Sequence, residues 1–126
     1  MSLPLDLRPS PEAERLIRLI GSARVDLSTE AAAQRGLARL FEADGLGHQA
    51  EVPLSAADRI DFLVGRVGVE VKIGQPRRQI LRQLERYAGS DRLDELLLVS
   101  SAPFPSGGFR AHGKPVFIVS LSTGWM

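Results

Sequence analysis

Residues 58–87 constrain the fold of this chain most, because they combine a β-hairpin with the helix that follows it. The runs 60–64 and 67–73 are apolar and rich in β-branched residues, which favours strands. Between them lie only Gly65 and Arg66, a pair typical of a short hairpin turn. The sequence therefore predicts two antiparallel strands joined by this turn.

The second strand of the hairpin alternates β-branched residues with Gly, Glu and Lys. Side chains on a strand point to opposite faces in turn, so Glu70 and Lys72 are predicted to project from the same face. Asp61 enters from the neighbouring strand. We call Asp61, Glu70 and Lys72 the charged cluster.

Composition sets the class of protein. With 126 residues, 44% hydrophobic and 25% charged, the chain is predicted to form one globular domain. It has no cysteine, which excludes disulfides and Cys-based zinc sites and fits a reducing cytoplasm. No stretch resembles a signal peptide or a membrane span, and nothing calls for an organic cofactor. We therefore expect a cytoplasmic protein without a membrane partner.

Two helices are predicted before the hairpin. Residues 1–10 are rich in proline and are expected to form a mobile arm. Ser10 and Pro11 then read as the N-cap and first residue of a helix. A second helix is predicted for 28–44, with Gly45 as its terminator.

Strands are predicted on both sides of the hairpin and its helix. Residues 49–54 form a first strand, and the continuous apolar run 93–100 favours a buried strand reached by a parallel crossover. A loop at 101–115 and a last strand at 116–121 follow. The order predicts an α/β fold with a mixed central sheet flanked by helices, in a single domain 1–126 whose core spans about 28–121.

Glu30 lies in an unusual position for a carboxylate. It precedes Leu37 by seven residues and is thus in line with the buried stripe of the second helix. An acid in a first turn can simply favour the helix dipole. The alternative is that Glu30 reaches the charged cluster.

The helix after the hairpin begins near Pro76 and ends at Gly89. Gln83 and Tyr87 lie one turn apart on the flank of its apolar face, and we call them the Gln–Tyr pair.

Arginines collect on the same helix. Basic residues outnumber acidic ones between 66 and 92, although the net charge of the whole chain is only +1. Arg77, Arg78 and Arg82 are candidates for contacts with DNA phosphates, since guanidinium groups pair bidentately with phosphate oxygens. For Arg82 and Arg86 the competing interpretation is that they simply lie on a solvent-exposed face of the helix.

The charged cluster matches the needs of a hard divalent cation. Two neighbouring carboxylates repel each other unless a positive charge compensates them, and Mg²⁺ binds oxygen ligands. Asp61 and Glu70 could supply two ligands and the Val71 carbonyl a third, while Lys72 could position or deprotonate an attacking water. Such a site suits phosphodiester hydrolysis. The competing interpretation is an exposed ion pair, because Glu-x-Lys is a common pattern on strands.

The order of these parts resembles the PD-(D/E)XK nuclease superfamily. Asp61 is followed after eight residues by Glu70-x-Lys72, and then by a helix carrying Gln83-x-x-x-Tyr87, similar to the RecB-like or Holliday-junction-resolvase-like branch. The resemblance implies a restriction-endonuclease-like αβββαβ core, dependence on Mg²⁺, for which Mn²⁺ could substitute, and cleavage of DNA.

The same resemblance implies a role for each residue. Asp61 and Glu70 would bind the metal, and Lys72 would be the catalytic lysine. Glu30 would be the first-helix acid and would hold the cation together with them. The Gln–Tyr pair would support the site or contact DNA. One departure is Ile60, which stands where many members have proline.

We therefore hypothesise that the chain is a small deoxyribonuclease that cleaves DNA with metal-activated water. Its substrates would be branched DNA or DNA ends, and it would act in DNA repair, in recombination or in a phage. A homodimer is expected, because duplex and junction substrates present two strands. The alternative is a catalytically silent nucleic-acid-binding or assembly subunit with the same fold.

Overall fold

A computed structural model of the chain describes residues 7–101, 104 and 108–121. Within these residues three helices and six strands alternate in the order ααβββαβββ. They are α1 (Pro11–Gly21), α2 (Glu30–Ala43), β1 (Gln49–Pro53), β2 (Arg59–Val64), β3 (Val67–Lys72), α3 (Arg77–Ala88), β4 (Glu95–Ser100), β5 (Phe109–Ala111) and β6 (Lys114–Ser120).

The predicted starts of α1 and α2 and the end of α2 are confirmed by their caps, whereas α1 ends at Gly21, a few residues before the expected stop near 24–27. The Ser10 hydroxyl accepts a hydrogen bond from the Ala13 N–H at the start of α1, and Thr29 does the same for Ala32 in α2. Gly45 follows α2 with a φ of +68°, as expected of a left-handed terminator. Ser10 also donates to the Glu95 carboxylate, so the last residue of the predicted arm is held against β4. Residues 1–6 of that arm lie outside the described residues.

The six strands form one mixed sheet in the order β1-β2-β3-β4-β6-β5. β3 and β4 pair in parallel across α3, which confirms the predicted crossover, and β4 pairs in parallel with β6. The β1–β2, β2–β3 and β5–β6 pairs are antiparallel. Helices α1 and α2 cover one face of this sheet and α3 covers the other. The α/β class with a mixed sheet is therefore as predicted.

One prediction was wrong at the carboxyl-terminal end of the chain. The segment 101–115 was expected to be a loop, but 109–111 form β5 and β6 already begins at Lys114. The two strands are joined by a tight turn at His112 and Gly113, both with positive φ. A three-residue strand beside glycines carries too little apolar pattern to be recognised.

No helix in the described part of the chain is long and apolar enough to span a membrane. The longest of them, α2, has 14 residues, whereas a bilayer requires about 20.

Candidate active site at the open end of the β2–β3 hairpin

The β2–β3 hairpin is a regular ladder only near its turn. Backbone pairing runs from Val64–Val67 to Phe62–Val69 and then stops, although Asp61 and Glu70 would be the next pair. β2 continues along β1, and β3 continues along β4. The sheet therefore opens between β2 and β3, at the position of the charged cluster.

Side-chain carboxylates bridge this opening. The Asp61 N–H donates to Glu70 Oε1 at 3.0 Å, and the Val71 N–H donates to Asp61 Oδ2 at 2.8 Å. Each acid thus binds the backbone of the opposite strand. Because buried backbone N–H groups need partners, the two carboxylates replace the missing ladder bonds and are fixed by them.

Lys72 completes the cluster. Its Nζ lies 3.0 Å from Glu70 Oε2, and the two side chains are 8% and 3% exposed. Asp61 is 9% exposed. The predicted convergence of Asp61, Glu70 and Lys72 is confirmed, and the alternative of a solvent-exposed ion pair is wrong.

The electrostatics of the cluster favour one protonated carboxyl group. Burial raises the pKa of Glu70 to about 8, and the nearby negative charge of Asp61 raises it further, whereas the charge and hydrogen bond of Lys72 lower it. Burial also raises the pKa of Asp61, against hydrogen bonds from Val71 and Gln34 that lower it. One ammonium therefore does not neutralise two buried acids, and one of the two carboxyl groups favours its protonated form.

The strand is irregular at Asp61. Ile60 packs in the core under α3 whereas Phe62 packs under α1 and α2, so the usual alternation of faces shifts at the residue between them. On β1, Glu51 opposite it has a φ of +54° and is missing from the backbone pairing. Together these features turn Asp61 toward α2.

Two residues near Asp61 were missed by the sequence reasoning. Gln34 Nε2 donates to Asp61 Oδ1 at 2.9 Å, and the negative charge of Glu51 contributes to the raised pKa of Asp61. Both line a pocket of about 250 Å³ between α2 and the β1–β2 edge, into which Asp61 opens. Gln34 lies one turn after Glu30 and could have been found from that spacing. Glu51 could not, because its position depends on the local strand irregularity.

Glu30 reaches the end of β3. Its Oε2 accepts hydrogen bonds from the Ile73 N–H at 3.0 Å and from Gln75 Nε2 at 2.8 Å. The first turn of α2 is thereby tied to the residue that follows Lys72. In the described residues no three Asp, Glu or His side chains are grouped closely enough to hold a metal ion, so the carboxylates of Glu30, Asp61 and Glu70 do not form a three-acid site.

The Gln–Tyr pair supports the backbone of β2. Gln83 Nε2 donates to the Tyr87 hydroxyl at 2.7 Å, and that hydroxyl donates to the Arg59 carbonyl at 3.1 Å. Burial and the neighbouring acids raise the pKa of Tyr87, so its hydroxyl stays neutral. The pair contacts β2 two residues before Asp61.

Three arginines of α3 line one depression on its surface. The Arg77 guanidinium stacks on the Phe104 ring, 5.1 Å from its centroid. Arg78 and Arg82 are exposed and line a shallow depression with Leu81 that includes no residue of the cluster.

Comparison of the chain with models of known protein families, with curated proteins and with solved structures finds no match. The relation to PD-(D/E)XK nucleases therefore stays a prediction based on residue spacing.

Proposed function

We propose that this chain is a metal-dependent nuclease of the PD-(D/E)XK type that hydrolyses DNA phosphodiester bonds at the charged cluster. The observation that carries this proposal is the pair of buried carboxylates held across an opening in the sheet, with Lys72 Nζ 3.0 Å from Glu70. The order α2-β1-β2-β3-α3-β4 supports a restriction-endonuclease-like core, since it follows the αβββαβ pattern.

The donor set fits Mg²⁺ as a two-carboxylate site. Each carboxylate oxygen of Asp61 and Glu70 accepts one hydrogen bond and has a second lone pair for a cation. Mg²⁺ commonly binds one or two protein carboxylates and keeps several waters, so a third acid is not required. Asp61 and Glu70 would hold it, with the Val71 carbonyl as a further proposed ligand. Glu30, whose carboxylate accepts from Ile73 and Gln75, lies outside this ligand set. When bound, it would supply Lewis acidity and lower the pKa of water.

The protein residues have separable roles in this proposal. Lys72 orients the attacking water or stabilises negative charge on the phosphate, since its ammonium is fixed by Glu70. Gln34 and the Val71 N–H hold the Asp61 carboxylate in place. The Gln–Tyr pair and Glu30 fix the ends of β2 and β3 around the opening.

The hydrogen bonds of the same two carboxylates favour a second function. Every carboxylate oxygen of Asp61 and Glu70 already accepts a hydrogen bond, and a buried network of this kind can serve only to hold a strand pair together. On this basis the alternative is a catalytically silent nucleic-acid-binding or assembly subunit.

A cleavage assay separates the two functions. Labelled junction, flap, duplex and single-stranded DNA, with RNA of the same sequences, would be incubated with the protein in Mg²⁺ or Mn²⁺. We expect cleavage by the unmodified chain and at least a roughly 100-fold slower rate for Glu70→Gln, which keeps the side-chain shape. Glu42→Gln, an exposed substitution on α2, is the matched control and should cleave normally.

The outcomes are distinct. Failure of the unmodified chain to cut any substrate contradicts the nuclease, and undiminished cutting by Glu70→Gln contradicts the proposed site. Anomalous scattering from Mn²⁺ soaked into crystals should appear beside Asp61 and Glu70. Sedimentation of the same sample tests the expected homodimer.

A further inference from the structure

The pocket at Asp61 has a basic neighbour on α2. One face of α2, including Gln34 and Arg35, lines the pocket that contains Asp61. The adjacent face of the same helix lines a second depression of about 420 Å³, which Arg35 also borders together with Arg24 and Arg39. We call this second depression the arginine groove. Arg35 forms the ridge between it and the Asp61 pocket.

The arginine groove is built by close packing of the α1–α2 connection. Val25 is 3% exposed and lies over Gly36, where an added Cβ would be only 3.1 Å from the Val25 Cγ1. Because glycine allows this approach, the connection lies directly on α2. Arg24, next to Val25, is thereby placed beside Arg35 and Arg39.

The three arginines are available for a ligand. All are exposed, and none takes part in an ion pair or hydrogen bond found among the described residues. Asp26 is the acid of the groove. Its carboxylate accepts the Ser28 N–H at 2.9 Å, and its pKa is lowered by this bond and, to a smaller extent, by the charge of Arg35. The lining therefore keeps a net positive charge.

The spacing suits a chain of phosphates. Arg35 and Arg39 are one helical turn apart, with Cβ atoms separated by about 5–6 Å. Guanidinium groups at this spacing can contact successive phosphates of one strand, each bidentately.

We infer that the arginine groove binds the sugar–phosphate backbone of a nucleic acid strand and leads that strand over the Arg35 ridge to Asp61. This inference rests on the proposed function for the identity of its ligand. It differs from the sequence prediction, which placed DNA on Arg77, Arg78 and Arg82. Those arginines belong to α3 and line a depression that contains no residue of the charged cluster, whereas Arg35 lines the same pocket as Asp61.

Binding measured without cleavage tests the groove. Fluorescence anisotropy of labelled single-stranded and duplex DNA would be recorded in EDTA for the full chain. We compare Arg35→Gln/Arg39→Gln with Arg78→Gln/Arg82→Gln, because each variant removes two exposed charges one turn apart on a helix. The α2 variant should weaken binding about tenfold or more and reduce the salt slope by about 2, whereas the α3 variant should have less than a third of that effect on Kd.

Two further measurements sharpen the result. Arg35→Lys/Arg39→Lys keeps the charges and should retain most of the affinity, and circular dichroism should show that all variants are folded. An equal or larger loss in the α3 variant, or no loss in either, overturns the inference. Equally strong competition by polyglutamate of matched charge also overturns it, since that would indicate a surface without preference for phosphate backbones.

The test distinguishes this inference from the proposed function. DNA binding that depends on the arginine groove, in a protein that cuts nothing, would retain the groove and reject the nuclease. Cleavage of DNA with unchanged binding by the α2 variant would retain the nuclease and reject the groove.

Discussion

The two halves of the β2–β3 hairpin are built from different interactions. Near the turn, from Val64–Val67 to Phe62–Val69, backbone hydrogen bonds join the strands and apolar side chains fill both faces. Past Phe62 the backbone pairs end, and the carboxylates of Asp61 and Glu70 make the connections. The first half is a neutral ladder, whereas the second half is a buried charged network.

The difference shows how a sheet can hold charge in its interior. A ladder satisfies its own backbone groups and leaves no polar atom for chemistry. Where carboxylates replace the ladder, they are fixed by the backbone and still present lone pairs to a ligand. The stability of the first half should therefore depend on packing, and that of the second on charge and pH.

The largest expected effect is that of Lys72→Met. This change leaves Glu70 without its cation in a buried site, and it should lower the free energy of unfolding by about 3–5 kcal/mol at pH 9. At pH 5, where Glu70 keeps a proton, the loss should be smaller. Urea denaturation at both pH values measures it.

A matched control uses an exposed ion pair. Arg18→Met removes the cation bound to Glu14 on α1, where the two side chains are 79% and 49% exposed, and should leave the urea midpoint unchanged. The double variant Glu70→Gln/Lys72→Met should recover most of the lost stability. Equal losses for Lys72→Met at pH 5 and pH 9 would contradict the charged network.

The next effect is the pH dependence of stability in the metal-free protein. The pKa of Glu70 is about 8 in the folded state and near 4.5 when unfolded, so the folded state holds a proton that the unfolded chain has lost. The contribution of Glu70 to the free energy of unfolding should therefore be greatest below pH 4.5. It should fall between pH 4.5 and 8 by at most about 1.4 kcal/mol per pH unit.

Thermal unfolding followed from pH 5 to pH 9 measures this slope. Glu70→Gln should flatten the profile, because the titrating group is gone, and Mg²⁺ should raise Tm most at high pH, since it competes with the proton. If the Tm of the unmodified chain instead rises from pH 5 to pH 9, the predicted direction of the pH dependence is wrong.

In the ladder half, Gly68→Ala should be destabilising for a steric reason. An added Cβ would lie 2.5 Å from Ile60 Cδ1 and 3.0 Å from Leu93 Cδ2. The expected loss is about 1–3 kcal/mol and should be independent of pH. Gly21→Ala is the control, because an added Cβ there has open space around it and should cause no steric loss. Urea denaturation of both variants measures the difference. A pH-dependent loss would weaken the contrast between the halves.

The smallest expected effect is that of Tyr87→Phe. It removes the hydroxyl that donates to the Arg59 carbonyl and accepts from Gln83, at a cost of about 1 kcal/mol. If the Gln–Tyr pair only positions β2, the rate of cleavage should fall with little change in DNA affinity. Urea denaturation measures the loss of stability, and single-turnover kinetics measures the cleavage rate and the affinity. A large loss of DNA affinity would instead indicate direct contact with DNA.

Much of the fold was predictable because local rules apply to it. The caps at Ser10 and Thr29 and the Gly65-Arg66 turn each depend on a few neighbouring residues. The alternation of β3 also predicted that Glu70 and Lys72 share a face, which their ion pair confirms. The strand β5 was missed, because its three residues carry no comparable pattern.

The partners of each candidate site residue were less predictable. Glu30 was expected to look inward, but its bonds to Ile73 and Gln75 depend on where α2 crosses the end of β3. The contact of Gln34 with Asp61 spans 27 positions and follows from the same crossing. The basic surface next to the site is likewise set by which helix covers which face of the sheet.

By itself, the sequence determined that a hairpin would bring an acid from β2 beside Glu70 and Lys72, because strand alternation and a two-residue turn leave few other arrangements. Only the tertiary structure decided that the strands separate at Asp61 and that the carboxylates take over their hydrogen bonds. That outcome depends on β1, β4 and α2 holding the two strands from outside. Charges can be buried there because the surrounding elements supply their partners.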